Sequence, residues 1–199
     1  MSPNNSQQES SLILISPYDP SWPIMFEVEM QALERILKHW IVGPIEHVGS
    51  TAVPGLAAKP VIDIMVAVAT LATSRPAISA AAEADYMYWP YRADVMHWFC
   101  KPSAAHRTHH LHLIPYGSDL WQARLGFRDA LRADSNLAKE YAQLKYHLAV
   151  KHRHDREAYT ESKTEFVQRV LASIGLAQPG NGGQPAESSQ IECADQPKR

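Results

Sequence analysis

The sequence predicts an α+β protein with a mixed β-sheet in its first two thirds and a helical section after it. Apolar, β-branched stretches at 45–48, 61–68 and 95–115 are typical of strands, whereas from residue 120 onward apolar residues recur at helical spacing. At 199 residues, 45% of them apolar, the chain is long enough to bury one sizeable core. We therefore expect one folded domain.

The first elements are predicted to be a strand at 12–15 and then a helix. Pro17 and Pro20 end the apolar run of the strand, and Asp19 or Ser21 is suited to cap the helix. Pro23 suits the first helical turn. The apolar stripe of this helix consists of Phe26, Met30, Leu33 and Leu37.

Gly43-Pro44 is predicted to end the connection to a second strand at 45–48, which a segment rich in small residues, 49–60, follows. Residues 61–68 are almost continuously apolar, so we expect a central strand buried on both faces. A helix is predicted at 74–84, followed by two antiparallel strands at 95–101 and 108–115.

Three helices are predicted to finish the domain, and Gly175 lies where a C-terminal cap is expected. Residues 1–11 are polar, and residues 175–199 are rich in Pro, Gly, Ser and Gln and have no aromatic residue. Such segments cannot bury enough apolar surface to offset the entropy of ordering. We therefore place the folded domain at 12–174 and expect disorder at 1–11 and 175–199.

Composition excludes several classes of protein. The formal net charge of −2 is unlike that of a nucleic-acid binder, and no apolar run approaches the roughly 20 residues that span a bilayer. Two cysteines are too few for a disulfide framework. These features favour a cytoplasmic protein with no membrane or nucleic-acid partner, and they leave the oligomeric state undetermined.

Asp63 is the first candidate for chemistry because a carboxylate within a buried strand must be paired, hydrogen-bonded or bound to a metal. A purely structural ion pair is the alternative. Gly49-Ser50, a gap of twelve residues and then Asp63 follow the spacing of the nucleotidyltransferase superfamily signature. Glycine allows the backbone to approach a phosphate closely, and the hydroxyls of Ser50 and Thr51 add donors.

A longer pattern runs in order from residue 12 to residue 174. Its strongest segments are Glu-His-Val-Gly-Ser-Thr to Asp-Ile-Met-Val at 46–66, Tyr-Asp-Pro-Ser-Trp at 18–22, His-His-Leu-His at 109–112, Phe-Arg-Asp at 127–129 and Asp-Arg-Glu-Ala-Tyr at 155–159. This pattern resembles the GrpB family (UPF0157). It implies a nucleotidyltransferase-like α+β fold and a cytosolic setting. It also implies kinship with a domain that some bacteria fuse to dephospho-CoA kinase, hence a nucleotide or coenzyme-like ligand.

The sequence departs from the superfamily signature at Met65, where a second acid is expected. A thioether is a poor ligand for Mg²⁺, which puts a standard two-metal transfer in doubt. His110 and His112 alternate onto one face of their predicted strand. If that strand lies beside 61–68, the two imidazoles and Asp63 form a two-histidine, one-carboxylate metal site; the alternative is hydrogen bonding without metal.

Basic residues on the predicted helices are candidates for phosphate contacts. Arg124, Arg128 and Arg132 are four residues apart; we select Arg128 because it lies in the family pattern and expect Arg124 on a solvated face. Tyr159 and Lys163 are four residues apart on the predicted last helix, so they could address one ligand from the same side; the alternative is that Tyr159 belongs to the core and Lys163 faces solvent. Lys59 and Lys145 are further possible phosphate contacts.

Together these features predict an enzyme that transfers a nucleotidyl or phosphoryl group from a nucleoside triphosphate to a small acceptor. We expect Mg²⁺ or Mn²⁺, with Zn²⁺ or Fe²⁺ as alternatives. The alternative functions are a catalytically silent nucleotide- or coenzyme-binding module and a His/Asp metal enzyme of another reaction class. The candidate catalytic residues are Asp63, His112 and Lys163, the metal ligands are Asp63, His110 and His112, and the ligand-binding residues are Gly49, Ser50, Thr51, Lys59, Arg128, Lys145 and Tyr159.

Overall fold

The computed structural model describes residues 12–176. Its elements in chain order are α1 (Trp22–Leu37), β1 (Ile41–Val48), β2 (Ile62–Val68), α2 (Ala77–Ala82), β3 (Met87–Trp89), β4 (His97–Pro102), β5 (Arg107–Pro115), α3 (Asp119–Ala133), α4 (Ser135–Lys151), α5 (Arg156–Glu161) and α6 (Thr164–Ser173), with a single turn of 3-10 helix at Ser50–Ala52 between β1 and β2. The α+β class and the C-terminal helical section are confirmed.

The five strands form one mixed sheet in the order β1-β2-β5-β4-β3. β2 and β5 are parallel neighbours at its centre, and every other pair is antiparallel. In the β2–β5 register Asp63 lies opposite His110, and Met65 lies opposite His112. The condition for a His/Asp cluster, that these two strands are adjacent, is therefore met.

The two faces of the sheet have separate cores. On one face Ile62, Ile64 and Val66 pack with Leu33 and Leu37 of α1. On the other face Met65 and Ala67 pack with Leu120 and Trp121 of α3. β2 is thus buried on both sides, as its unbroken apolar sequence predicts.

The start of α1 follows the predicted pattern with one change. Ser21 is the N-cap residue and a proline occupies the first turn, but the Ser21 side chain makes no capping hydrogen bond. Asp19 Oδ1 instead accepts a hydrogen bond of 2.8 Å from the Ser21 backbone N–H. Phe26, Leu33 and Leu37 are buried as predicted.

Three predicted boundaries are wrong. Residues 12–15 form no strand. Ile13 instead packs among side chains of α4 and α5, so its burial needs no sheet partner. Ser16 makes an isolated β-bridge to Ala58. β1 begins at Ile41 and runs through Gly43-Pro44, because an edge strand with an irregular register tolerates a proline. The helix predicted at 74–84 spans only Ala77–Ala82.

The helical section contains four helices in the described residues, not three. The segment predicted as the last helix is divided at residues 162–163, so Tyr159 lies in α5 and Lys163 is the N-cap residue of α6. Gly175, with φ +74°, ends α6 as predicted, and the Leu176 N–H donates to Leu171 O. Disorder is predicted at 1–11 and 175–199; residues 1–11 and 177–199 lie outside the described residues, and only Gly175 and Leu176 of the predicted tail lie within them. In the part of the chain that the structure describes, no helix is long and apolar enough to cross a membrane.

Candidate functional site

Asp63, His110 and His112 converge on the α3 side of the sheet. Asp63 comes from β2 and the two histidines from β5. Asp63 Oδ1 accepts hydrogen bonds from His110 Nδ1 at 2.9 Å and from His112 Nε2 at 3.4 Å. The three potential ligand atoms all lie within 4.8 Å of one another. We call these three residues the Asp63 cluster.

The electrostatics of the cluster favour an ionised acid and neutral imidazole. Burial raises the pKa of Asp63, but the hydrogen bonds from His110 and His112 outweigh burial and hold this pKa well below its ordinary value. Burial and the nearby positive charge of Arg124 lower the pKa of His112 to about 3, against the opposing effect of Asp63. At neutral pH His112 is therefore an uncharged imidazole, the form that binds metals.

The spacing of the donor atoms suits a single ion. An ion about 2.1 Å from each donor places neighbouring donors roughly 3–3.5 Å apart, and the two measured separations from Asp63 Oδ1 are 2.9 and 3.4 Å. The other ring nitrogens, His110 Nε2 and His112 Nδ1, are buried and have no hydrogen-bond partner among residues 12–176. Asp63 is thus the group that orients both rings.

The Gly49–Ser50 turn lies directly against Asp63. Gly49 adopts φ +72° and ψ −171°, and a Cβ at this position would contact Asp63 Oδ2 and lie 3.1 Å from Asp63 Cβ. Only glycine brings the backbone this close to the carboxylate. The segment rich in small residues, 49–60, therefore allows its backbone to lie directly against the cluster, as its composition predicts.

Thr51 supports this turn from the inside. It is buried, its Oγ1 donates to Val61 O at 3.2 Å, and it accepts a hydrogen bond of 3.0 Å from His47 Nε2. His47 stacks on Phe26 on the opposite face of the sheet, and burial lowers its pKa to about 4. Thr51 thus hydrogen-bonds the turn to the residue that precedes β2. Its direct contact with a ligand stays a prediction.

Two half-buried lysines lie around the ring of Tyr159. Lys163 Nζ stands 4.3 Å and Lys59 Nζ 6.0 Å from the ring centroid. Burial lowers the pKa of each lysine to about 8; in Lys163 the charge of Lys59 adds to this effect and that of Asp63 opposes it. Tyr159 and Lys163 therefore do meet, across a break between two helices. The two ammonium groups form a cationic side of the site near Asp63.

Lys145 is held by the protein itself. It is 2% exposed, its Nζ donates to Ala57 O, and it stands 4.8 Å from the ring of Tyr141. Burial lowers its pKa to about 7. These contacts anchor the segment before β2, and a ligand contact for Lys145 stays a prediction.

Arg128 lies outside the Asp63 cluster. Its NH1 donates to Glu46 Oε2 at 2.6 Å and to His47 O at 3.0 Å, and its Nε donates to Asp129 Oδ1 at 2.8 Å. Its donors thus connect α3 to the end of β1. The family pattern that singles out Arg128 is accounted for by this structural role, and its ligand-binding role stays a prediction.

Arg124 was expected on a solvated face, and this expectation is wrong. The side chain is partly buried, its NH2 donates to Met96 Sδ at 3.7 Å, and its charge acts on His112. The sequence holds one signal for this placement: residues four apart on a helix share a face, so Arg124 lies on the side that Arg128 presents to the sheet.

Met65 is fully buried between the sheet and α3. No carboxylate therefore stands at the position of the second acid, as the sequence indicates.

Cys100 is buried as well, and burial raises the pKa of its thiol, which is the environment of an unreactive cysteine.

The five-stranded mixed sheet, the glycine turn and the Asp63 cluster define an α+β domain with a candidate metal-ligand site at its centre. The model of the GrpB protein family matches residues 12–173. The chain belongs to the GrpB family.

Individual relatives agree with this assignment. A UPF0157 protein of Pseudomonas aeruginosa is 37% identical over 170 residues, which cover 83% of this chain and 69% of the relative. The glutamate-rich protein GrpB of Alkalihalophilus pseudofirmus is 32% identical over 80% of this chain and 94% of its own length. The crystal structure of the conserved protein GrpB from Enterococcus faecalis superposes with a TM-score of 0.73 at 31% identity, covering 80% of this chain and 96% of that one.

Proposed function

We propose that this protein is a divalent-metal-dependent enzyme that transfers a nucleotidyl or phosphoryl group from a nucleoside triphosphate to a small acceptor. The observation that carries the proposal is the Asp63 cluster, whose three ligand atoms lie within 4.8 Å of one another beside a glycine turn. A cytoplasmic setting and a nucleotide or coenzyme-like ligand belong to the same proposal.

The donor set favours particular ions. Two imidazoles and one carboxylate suit Mn²⁺, Fe²⁺ or Zn²⁺, whereas Mg²⁺ prefers oxygen ligands throughout. We therefore rank Mn²⁺ before Mg²⁺. When bound, such an ion polarises a phosphoryl oxygen and neutralises developing charge.

The surroundings of the cluster suit a phosphate chain. Gly49 brings its backbone directly against Asp63, and the Ser50 hydroxyl follows in the chain. Lys59 and Lys163 supply positive charge near Asp63, in a partly buried position where electrostatic attraction is stronger than in water. In this proposal Lys163 neutralises the charge that shifts between phosphoryl oxygens as the bond to the leaving group breaks.

A catalytically silent binding module is the second candidate, and buried Met65 is the observation that favours it. A single carboxylate at Asp63 leaves no second acid to bridge two metal ions. Such a module would keep the metal and the triphosphate but show no turnover.

Calorimetry with Mn²⁺, then with ATP, GTP, CTP and UTP in its presence, tests the proposal. His112→Ala and Asp63→Asn should weaken Mn²⁺ binding at least tenfold, whereas His109→Ala is the matched control because His109 precedes His110 on the same strand and lies outside the cluster. Wild-type protein that binds neither Mn²⁺ nor any triphosphate would refute the proposal. Turnover of the bound triphosphate that Asp63→Asn abolishes identifies an enzyme; tight binding without turnover identifies the silent module.

A further inference from the structure

Three arginines four residues apart on α3 have different surroundings. Arg128 donates to two carboxylates and a carbonyl, and Arg132 donates twice to Ala52 O, at 2.8 and 3.0 Å. The hydrogen bond of Arg124, in contrast, goes to the thioether of Met96, a weak acceptor. Within residues 12–176 no carboxylate forms a salt bridge with Arg124.

A partly buried guanidinium without a counter-ion is unfavourable, because burial removes the water that would solvate its charge. Burial accordingly lowers the pKa of Arg124, and the charge of nearby Asp63 only partly offsets the effect. Asp63 Oδ1 already accepts hydrogen bonds from both histidines of the cluster. Arg92 adds a further positive charge near Arg124. The α3 side of the cluster therefore carries uncompensated positive charge.

Solvent reaches the cluster, because the side chains of Asp63 and His110 are 28% and 18% exposed. Tyr91, which follows β3, lies near Arg124 and is 54% exposed. Its ring stands 6.1 Å from that of Trp98, which in turn stands 5.0 Å from the ring of His110.

We propose that Arg124 is an anion-binding residue of the site and holds a phosphate or carboxylate group of a ligand bound against the Asp63 cluster. A guanidinium binds either group through two parallel N–H donors, which explains an arginine that the fold itself leaves without a strong acceptor. The inference deepens the proposed function, on which it rests for the presence of a ligand at the cluster.

Thermal unfolding of Arg124→Leu and of Arg132→Leu, with and without inorganic pyrophosphate or malonate, tests the inference. Without anion, Arg124→Leu should melt at or above the wild-type temperature, because leucine removes an uncompensated charge. Arg132→Leu should melt lower, because it loses two hydrogen bonds to Ala52 O. Pyrophosphate or malonate should raise the melting temperature of wild type and Arg132→Leu, and the shift should disappear in Arg124→Leu. The more effective anion indicates which group Arg124 takes.

Three outcomes would overturn the inference: a full anion shift in Arg124→Leu, a melting temperature of this variant as low as that of Arg132→Leu, or no shift of the wild type with either anion. Mn²⁺ calorimetry on the same proteins separates this result from the proposed function. Arg124→Leu should bind Mn²⁺ at least as tightly as wild type, because the variant keeps all three cluster residues and loses a positive charge that acts on His112. Failure of wild type to bind Mn²⁺ contradicts the proposed function. The shift of the melting temperature by pyrophosphate or malonate still tests the role of Arg124 in that case.

Discussion

Gly49→Ala should destabilise the protein more than an alanine at a glycine that also has a positive φ but has open space beside it. Gly49 combines φ +72° with ψ −171°, a region essentially restricted to glycine, and alanine there costs about 1–3 kcal/mol. The new Cβ would also press on Asp63 Oδ2 and lie 3.1 Å from Asp63 Cβ and Cγ, which adds about 1–3 kcal/mol of overpacking. The two effects together give about 2–6 kcal/mol.

Gly55→Ala is the matched control. Gly55 also has a positive φ, +78°, but a Cβ there would meet nothing within 4 Å. Because Gly55 is the third residue of a turn closed by the Leu56 N–H to Val53 O hydrogen bond, the difference in unfolding free energy between the two variants reports the contact with Asp63 together with the extra cost of the extended ψ of Gly49. Urea denaturation at pH 7.5 measures it, and a chain of this size changes its melting temperature by about 2–4 °C per kcal/mol.

The contact can also be tested by a double-mutant cycle with Asp63→Ala. Removing the carboxylate should relieve the contacts with Oδ2 and Cγ but not the one with Asp63 Cβ, so Gly49→Ala should cost less in that background than in the wild type. Equal destabilisation by Gly49→Ala and Gly55→Ala in the wild-type background would refute the reasoning. So would an unchanged cost of Gly49→Ala after Asp63 is removed.

Two further predictions concern buried charge and acid sensitivity. Arg128→Met should lower the unfolding free energy by about 3–5 kcal/mol, because Glu46 and the His47 carbonyl lose a buried partner. Arg169→Met, at an exposed ion pair, should cost under about 1 kcal/mol. Similar losses for the two variants in denaturant titrations would contradict this prediction. The pKa of His47 is about 4 in the folded state and near 6.5 unfolded, so the unfolded chain binds the extra proton and stability falls as pH drops from about 6.5 to 4.5. His47→Gln should reduce this slope without abolishing it, because the lowered pKa of His112, about 3, contributes in the same direction. Urea denaturation across that range measures the slope, and His106→Gln at an exposed position should leave it unchanged. A slope in His47→Gln equal to that of the wild type would refute the assignment.

The sequence alone determined the centre of the site. An acid within an unbroken apolar run is sufficient to predict a buried strand with a special residue, and Asp63 lies in one. Two-residue alternation is a local property of any strand, so the shared face of His110 and His112 could be predicted before the partner strand was known. The glycine turn likewise follows from small residues between two strands.

Only the tertiary structure decided which basic residues lie near the Asp63 cluster and which are paired elsewhere. Arg124 and Arg128 have the same spacing and helix propensity, yet Arg128 is paired with Glu46 and Arg124 is not. That difference depends on β1, about 80 residues earlier in the chain, which no local pattern encodes. Residues 12–15 show the same limit, because their apolar run serves helix packing as well as it would serve a strand. Periodicity reports which side of an element is buried, but the identity of the group packed against that side is set by long-range contacts.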